Sequence, residues 1–157
     1  MQQPTQQFEE YKLGVESTQH LSERRQAATQ TYLTINSAIF TVLAFLIKDA
    51  GFRSRELLLV CVPLFLVGIS VCIIWHRIIV QFESFIGWRY EQLRGMEQAM
   101  PGSWQLLTKE WTDYFAPRAG KPRFGFSRLE LWLPRLFLAL YGVYGVAGLI
   151  LWAIGVL

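Results

Sequence analysis

The sequence predicts an all-α integral membrane protein with three transmembrane helices, the first two of which extend into long cytoplasmic helices. Three observations lead to this fold class: few charges, three long apolar runs, and helical spacing of apolar residues between those runs. Of the 157 residues, 52% are hydrophobic and only 17% are charged, whereas soluble domains contain about 25% charged residues. A chain of this length has room for one compact unit.

The apolar residues are concentrated in three runs, and each run predicts one membrane span. The runs occupy residues 32–47, 57–75 and 136–157, and they predict transmembrane helices at 32–48, 57–76 and 131–157. A spanning helix needs about 20 apolar residues. The second and third runs meet this length, and the first does so when residues 27–30 are counted at the interface. The N-terminal arm 1–31 and the region 77–130 are therefore predicted to lie outside the bilayer as cytoplasmic helical segments.

The basic residues predict the orientation of the spans. Three precede the first run, three lie in the short loop after it, and nine follow the second run. The arm and the region 77–130 must share a side of the membrane, because two spans separate them, and that side carries most of the basic residues. The positive-inside rule places it in the cytoplasm, with the N-terminus cytoplasmic and the C-terminus periplasmic. Nucleic-acid binding is not expected, because acidic residues are interspersed.

A heptad stripe runs along the first predicted helix, 5–47, which would be about 65 Å long. It repeats at alternating spacings of three and four and comprises Phe8, Tyr11, Val15, Thr18, Ser22, Arg25, Thr29, Tyr32 and Asn36. Asn36 lies inside the first span, where an amide needs a hydrogen-bonding partner. The partner is a group in the same chain, the same residue of a neighbouring chain, or water in a lumen.

The stripe favours self-association, because a helix of this length has more surface than two other spans can cover. In a ring of copies, the stripe would form an oligomer seam or line a lumen through Ser22, Arg25, Thr29, Tyr32 and Asn36. A monomeric three-helix bundle with Asn36 satisfied internally remains the alternative. Arg24 lies off the stripe and is predicted to anchor the helix at the membrane edge.

The rest of the chain predicts three further elements. A second long helix should run from about residue 56 to 99, with a kink at Pro63. Ser103 can cap a short helix reaching 115, whose aromatic face, including Trp111, suits either a membrane interface or packing on the long helices. Residues 127–130 match a capping box that opens the last helix or a short interfacial helix, with Trp132 as a second interface anchor.

Catalytic, cofactor and metal sites are not expected. The chain has two histidines and two cysteines, and Cys61 and Cys72 lie about 16 Å apart on one helix, too far for a disulfide. A ribonuclease of the HEPN kind needs an arginine four to six residues before a histidine, and neither His20 nor His76 is so placed. No cluster provides metal ligands. The sequence therefore predicts a non-enzymatic protein.

Several segments resemble one known family. The stretch SERRQAATQTYLTINSAIF is similar to the S-x-R-R…F-L-x-I-N-T/S segment of the RipA-type octameric membrane proteins of bacteria. Three later segments also resemble the family: a helix ending in a Glu and a Pro (Glu97 and Pro101), a Glu-Trp pair (Trp111), and an Ile-Glu-x-x-x-Pro segment (Glu130 and Pro134). The Trp88-Arg89 stretch and the loop 116–126 depart from the family pattern.

The resemblance implies a small protein of the bacterial inner membrane that assembles as a homo-octameric ring. The family is associated with intracellular growth or envelope stress, and similar proteins that accompany an RNA-guided nuclease have been attributed a pore function. The expected function is thus a pore or channel with a cytoplasmic vestibule, whose partners are further copies of itself and membrane lipids. The alternative is a membrane scaffold that binds lipid or a protein partner in envelope stress, defence or intracellular growth.

Overall fold

The computed structural model describes residues 4–48, 54–100, 102–116 and 126–154, and this part of the chain is helical throughout, apart from short turns. Helix α1 spans Pro4–Lys48, α2 spans Ser54–Ala99, and α3 spans Leu106–Lys109. A π-helical turn, Glu110–Phe115, follows α3 directly, and α4 spans Phe126–Ala153. Three of these helices, α1, α2 and α4, are long and apolar enough to cross a membrane. The all-α fold with three candidate spans is confirmed, and both long helices begin and end within two residues of the predicted bounds.

The short elements differ from the predictions in their starting points. Ser103 does not cap a helix directly, because α3 begins at Leu106 and its N-cap residue is Gln105 in the left-handed region, with φ 50°. The Ser103 Oγ instead accepts a hydrogen bond from the Gln105 amide at 3.2 Å. Helix α4 begins at Phe126, so Ser127 lies inside its first turn and does not precede it. Helix α4 continues through Pro134, so residues 127–134 do not form a separate interfacial helix.

The chain divides into two compact units. The polar unit comprises Met1–Gln26 and Val80–Gly125, and the membrane unit comprises Ala27–Ile79 and Phe126–Leu157. Both α1 and α2 contribute to both units, because neither helix contains a residue that would end it between them. In α1 the hydroxyls of Thr18, Thr31, Thr34 and Thr41 donate to carbonyls four residues earlier, which satisfies these polar groups without breaking the helix.

The core of the membrane unit is built from all three long helices. Ile39 and Leu43 of α1, Cys61 and Cys72 of α2, and Tyr141 of α4 are its buried residues. Aromatic rings fill the space around them. The Phe40 ring lies 4.5 Å from the Tyr141 ring, and the Phe65 ring meets Tyr141 edge-on at 5.9 Å. Such aromatic pairs add stability beyond the area that they bury.

The polar unit packs α1 against α2 through a separate set of residues. Ile86, Leu93 and Glu97 of α2 are buried there. Gly14 makes the close approach possible, because a Cβ at this position would lie 2.8 Å from the Leu93 Cδ2.

Candidate functional site

The heptad stripe of α1 is the side of that helix that is most buried in one chain. In the polar unit, Thr18 is buried and Ser22 and Arg25 are half-buried. In the membrane unit, Thr29 and Tyr32 are half-buried, and Asn36 is fully buried. The two stripe residues with described contacts in the membrane unit both meet α2, since Tyr32 stacks on Trp75 and Asn36 contacts Cys72. A large part of the predicted seam is therefore covered within the protomer.

Asn36 has hydrogen-bonding partners on two other helices. Its exposed fraction is 0%. The Asn36 Oδ1 accepts from the Cys72 Sγ at 3.1 Å and from the Tyr141 hydroxyl at 3.2 Å, and its Nδ2 donates to the Tyr32 carbonyl at 2.8 Å. The buried amide thus joins α1, α2 and α4, and it needs no neighbouring chain to satisfy it. Of the three partners that the sequence allowed for Asn36, the structure shows groups of the same chain.

The other residues predicted from the sequence lie in several places. The Ser22 Oγ donates to the Thr18 carbonyl at 3.3 Å, so its hydroxyl is used locally. Arg24 is exposed, as an interface anchor would be. Trp132 is also exposed, at 65%. Trp111 is exposed on one face and lies under the Arg94 guanidinium on the other, at 4.1 Å from the ring centroid.

A second stripe on α1 was missed by the sequence reasoning. It comprises Gln30, Thr34, Ser37 and Thr41, all exposed in the membrane unit. Their spacings of four, three and four place them on one side of the helix, about 130° from the buried stripe. Two of the hydroxyls donate to backbone carbonyls, Thr34 to Gln30 at 2.9 Å and Thr41 to Ser37 at 2.8 Å. The same heptad search that found the buried stripe would have found this one.

Glu97 forms the most connected polar site of the polar unit. Its carboxylate accepts hydrogen bonds from the Tyr11 hydroxyl at 2.8 Å and from the backbone amides of Leu107 at 3.1 Å and Thr108 at 3.0 Å. The Thr108 hydroxyl donates to it as well, at 3.1 Å. These amides belong to the first turn of α3, where backbone N–H groups have no helical acceptor. A carboxylate of α2 therefore caps α3 from outside.

The hydrogen bonds at Glu97 determine its charge state and that of Tyr11. Burial alone would raise the pKa of the Glu97 carboxyl, but the hydrogen bonds from Leu107, Tyr11 and Thr108 outweigh it and lower the pKa below its ordinary value. Burial, together with the hydrogen bond to Glu97 and its negative charge, raises the pKa of Tyr11 to about 12. Near neutral pH the pair is a carboxylate and a protonated phenol, which is the state that this geometry requires.

The described residues offer no metal site, since no group of three His, Cys, Asp or Glu side chains comes together among them. Cys61 and Cys72 are both free thiols, and the Cys72 Sγ is already engaged with Asn36. The arrangement therefore provides hydrogen-bonding groups for helix packing and exposed polar and aromatic surfaces for contacts with other molecules.

Comparison with known proteins identifies the family of the chain. Neither a curated protein nor a solved structure matches it. The model of the octameric membrane protein family (8xMP) matches residues 8–150, a range that includes all three candidate spans except the first two residues of the first. The chain therefore belongs to the octameric membrane protein family.

Proposed function

We propose that this protein forms a homo-octameric membrane pore in which α1 of each copy lines the lumen through Gln30, Thr34, Ser37 and Thr41. The observation that carries the proposal is the exposure of these four polar side chains on one side of a candidate membrane span. Family membership supports self-association, and a ring of copies provides an axis on which the stripes can meet.

The packing of the membrane unit favours a lumen between copies over a path through one protomer. Its described interior holds the Asn36, Cys72 and Tyr141 cluster, whose polar groups bond one another. Trp75 and Phe137 fill the neighbouring space, with their rings 6.1 Å apart. A conduction path through such an interior would have to break these contacts.

Several apolar side chains of α1 are exposed in the membrane unit and suit lipid. Leu33, Ile35 and Val42 are exposed there and lie off the polar stripe. A helix with one polar and one apolar exposed side is expected to turn the polar side away from lipid. The stripe is about 16 Å long and carries no formal charge, so water and small hydrophilic solutes are the species that it would accommodate.

The test is ion flux into liposomes that contain the purified protein, combined with a cysteine scan. We expect the wild-type protein to conduct, and a cationic methanethiosulfonate reagent to reduce the flux through Thr34→Cys by about tenfold or more. Ile35→Cys is the matched control, because Ile35 is the next residue on α1 and is exposed outside the stripe. The wild-type protein controls for the native thiols, both of which are buried.

The possible results test two claims separately: that the protein forms a pore, and that the polar stripe of α1 lines it. Wild-type liposomes that remain tight would contradict the pore. Flux that is equally insensitive in Thr34→Cys and Ile35→Cys would show that another surface lines the lumen.

A scaffold that binds lipid is the second candidate, and one observation favours it. Trp104, Leu106 and Tyr114 are exposed around α3 and the π-helical turn, with Trp104 at 85%. Exposed tryptophan and tyrosine side chains are typical of membrane interfaces. The basic residues Arg118, Lys121 and Arg123, which would assist binding to anionic headgroups, lie outside the described residues. This function would be favoured if the protein remains octameric in liposomes that do not conduct ions.

A further inference from the structure

The C-terminal half of α2 exposes a helical stripe without formal charge. It repeats at spacings of four, three, four, three and four, and comprises Gln81, Phe85, Trp88, Gln92, Gly95 and Ala99. All six residues are exposed, and together they extend over about 27 Å of helix. The charged residues of the same segment, such as Glu83 and Arg94, lie on other sides of the helix. This segment is predicted to lie outside the bilayer, where exposed helix faces usually carry charges, so we expect the uncharged face to contact a partner.

The other two sides of this segment are already in use within the polar unit. Leu93 and Glu97 face α1, through Gly14 and Tyr11. A second side meets the segment after α3, where Arg94 stacks on Trp111. The uncharged stripe forms the third side of this segment, and no other helix covers it among the described residues of the polar unit.

The side chains at the centre of the uncharged stripe contact one another within the single chain. The Phe85 and Trp88 rings stack at 5.9 Å with an interplanar angle of 9°, and they are 42% and 51% exposed. The Arg89 guanidinium lies 5.5 Å from the Phe85 centroid and 6.0 Å from the Trp88 centroid, and it donates to the Ser17 Oγ at 3.4 Å. Tryptophan and arginine are the residues that most often dominate binding energy at interfaces, and little ordering remains to be done here.

The heptad spacing indicates that the partner is another helix. Residues at this spacing pack as knobs into the holes of a facing helix. Gly95 leaves open space at its Cβ position, which lets a facing backbone approach closely. Arg89 and Glu91 occupy the two flanking positions of the heptad, where opposite charges pair between helices.

We propose that this uncharged stripe on α2 is a protomer–protomer contact, packed against a helix of the neighbouring copy in the ring. A closed ring uses heterologous contacts, in which one surface of a protomer meets a different surface of the next. The stripe provides one of these two surfaces. The proposal depends on the self-association that family membership implies, and it does not depend on conductance.

The test compares two exposed tryptophans of the polar unit in the full-length protein purified in detergent. Native mass spectrometry counts the subunits of the wild type, of Trp88→Glu and of the matched control Trp104→Glu. We expect Trp88→Glu to weaken association by at least about thirtyfold and to shift the protein to smaller species, while Trp104→Glu keeps the wild-type subunit number. A Trp88→Glu protein that remains a complete oligomer would overturn the proposal.

A second measurement keeps the proposal testable if Trp88→Glu does not fold. A photo-cross-linking amino acid at position 92 should give a product of twice the subunit mass, whereas the same group at position 83, on another side of α2, should not. Cross-linking from position 83 alone, or transfer of the label from position 92 only to lipid, would overturn the proposed contact. A monomeric wild type would instead contradict the octameric assembly itself, which distinguishes the two failures.

Discussion

At the scale of single residues, Glu97 shows how one carboxylate can organise a unit of structure. It accepts four hydrogen bonds, from Tyr11, from two backbone amides of α3 and from a threonine hydroxyl. The segment that it holds contains Gln105 at φ 50°, a conformation that costs a non-glycine residue about 1 kcal/mol or more. The bonds to Glu97 offset this strain, because they satisfy the amides at the start of α3.

We predict that Glu97→Gln loosens α3 and the π-helical turn. The amide side chain keeps one acceptor oxygen but turns an NH₂ group toward donors, so at least one bond is lost, at a cost of about 1–3 kcal/mol. Hydrogen exchange of the Leu107 and Thr108 amides should become about tenfold faster or more at pH 7. Glu91→Gln, at an exposed position of the same helix, is the matched control and should leave both rates unchanged.

The same site predicts a pH dependence with a definite sign. Because the pKa of Glu97 is lowered in the folded protein, its stabilising contribution is present above the ordinary carboxyl pKa of 4.5 and is lost as the pH falls through the folded value. Because the pKa of Tyr11 is raised to about 12, the opposite loss occurs as the pH rises from 10 through 12. Protection of the α3 amides, corrected for intrinsic exchange, should be level between these limits. Persistence of the full protection in strong acid would contradict this assignment.

Asn36 shows what a sequence can and cannot predict about a single residue. Its position inside an apolar run was enough to show that the amide needs a partner, since an unpaired amide in lipid is costly. The partners themselves, Cys72 and Tyr141, are 36 and 105 residues away in the chain. No spacing rule connects residues so distant, because their meeting depends on how three helices pack.

At the scale of helices, the sequence predicted the lengths of α1 and α2 but did not show which of their sides are exposed. Both helices begin and end within two residues of the predicted bounds, because proline, glycine and charged residues lie at or next to their ends. Periodicity identifies a stripe but does not indicate what covers it. The α1 stripe with Asn36 is largely covered by the same chain, whereas the stripes at Gln30–Thr41 and Gln81–Ala99 are exposed. Only burial in three dimensions distinguishes these cases.

A prediction at the same scale concerns the contact between α2 and α4. A Cβ at Gly68 would lie closer than 3.0 Å to three atoms of the Tyr141 ring and hydroxyl. Gly68→Ala should therefore displace Tyr141, disturb its hydrogen bond to Asn36 and destabilise the membrane unit by about 1–3 kcal/mol. The measurement is the thermal unfolding midpoint in detergent. Gly142→Ala is the control, because nothing lies within 4 Å of its Cβ position, and equal midpoints for the two variants would refute the packing argument.

At the scale of the whole molecule, the proposed lumen lining and the proposed protomer contact belong to different units. The polar stripe of α1 belongs to the membrane unit, and the uncharged stripe of α2 belongs to the polar unit. Substitutions in one stripe should therefore affect conductance and those in the other should affect subunit number. This separation follows from the location of each stripe on its own unit, and it makes assembly and permeation separately measurable.

The orientation in the membrane is the last prediction, and it rests on the distribution of charge along the chain. Twelve of the fifteen lysines and arginines precede the first span or follow the second, which places both segments in the cytoplasm under the positive-inside rule. In a bacterial inner membrane, alkaline phosphatase fused after α4 should then be active, and green fluorescent protein fused before α1 should fluoresce. If phosphatase fused after α4 is inactive and green fluorescent protein fused at the same position fluoresces, the orientation is opposite to the predicted one. The three basic residues of the first loop would then outweigh the twelve on the other side.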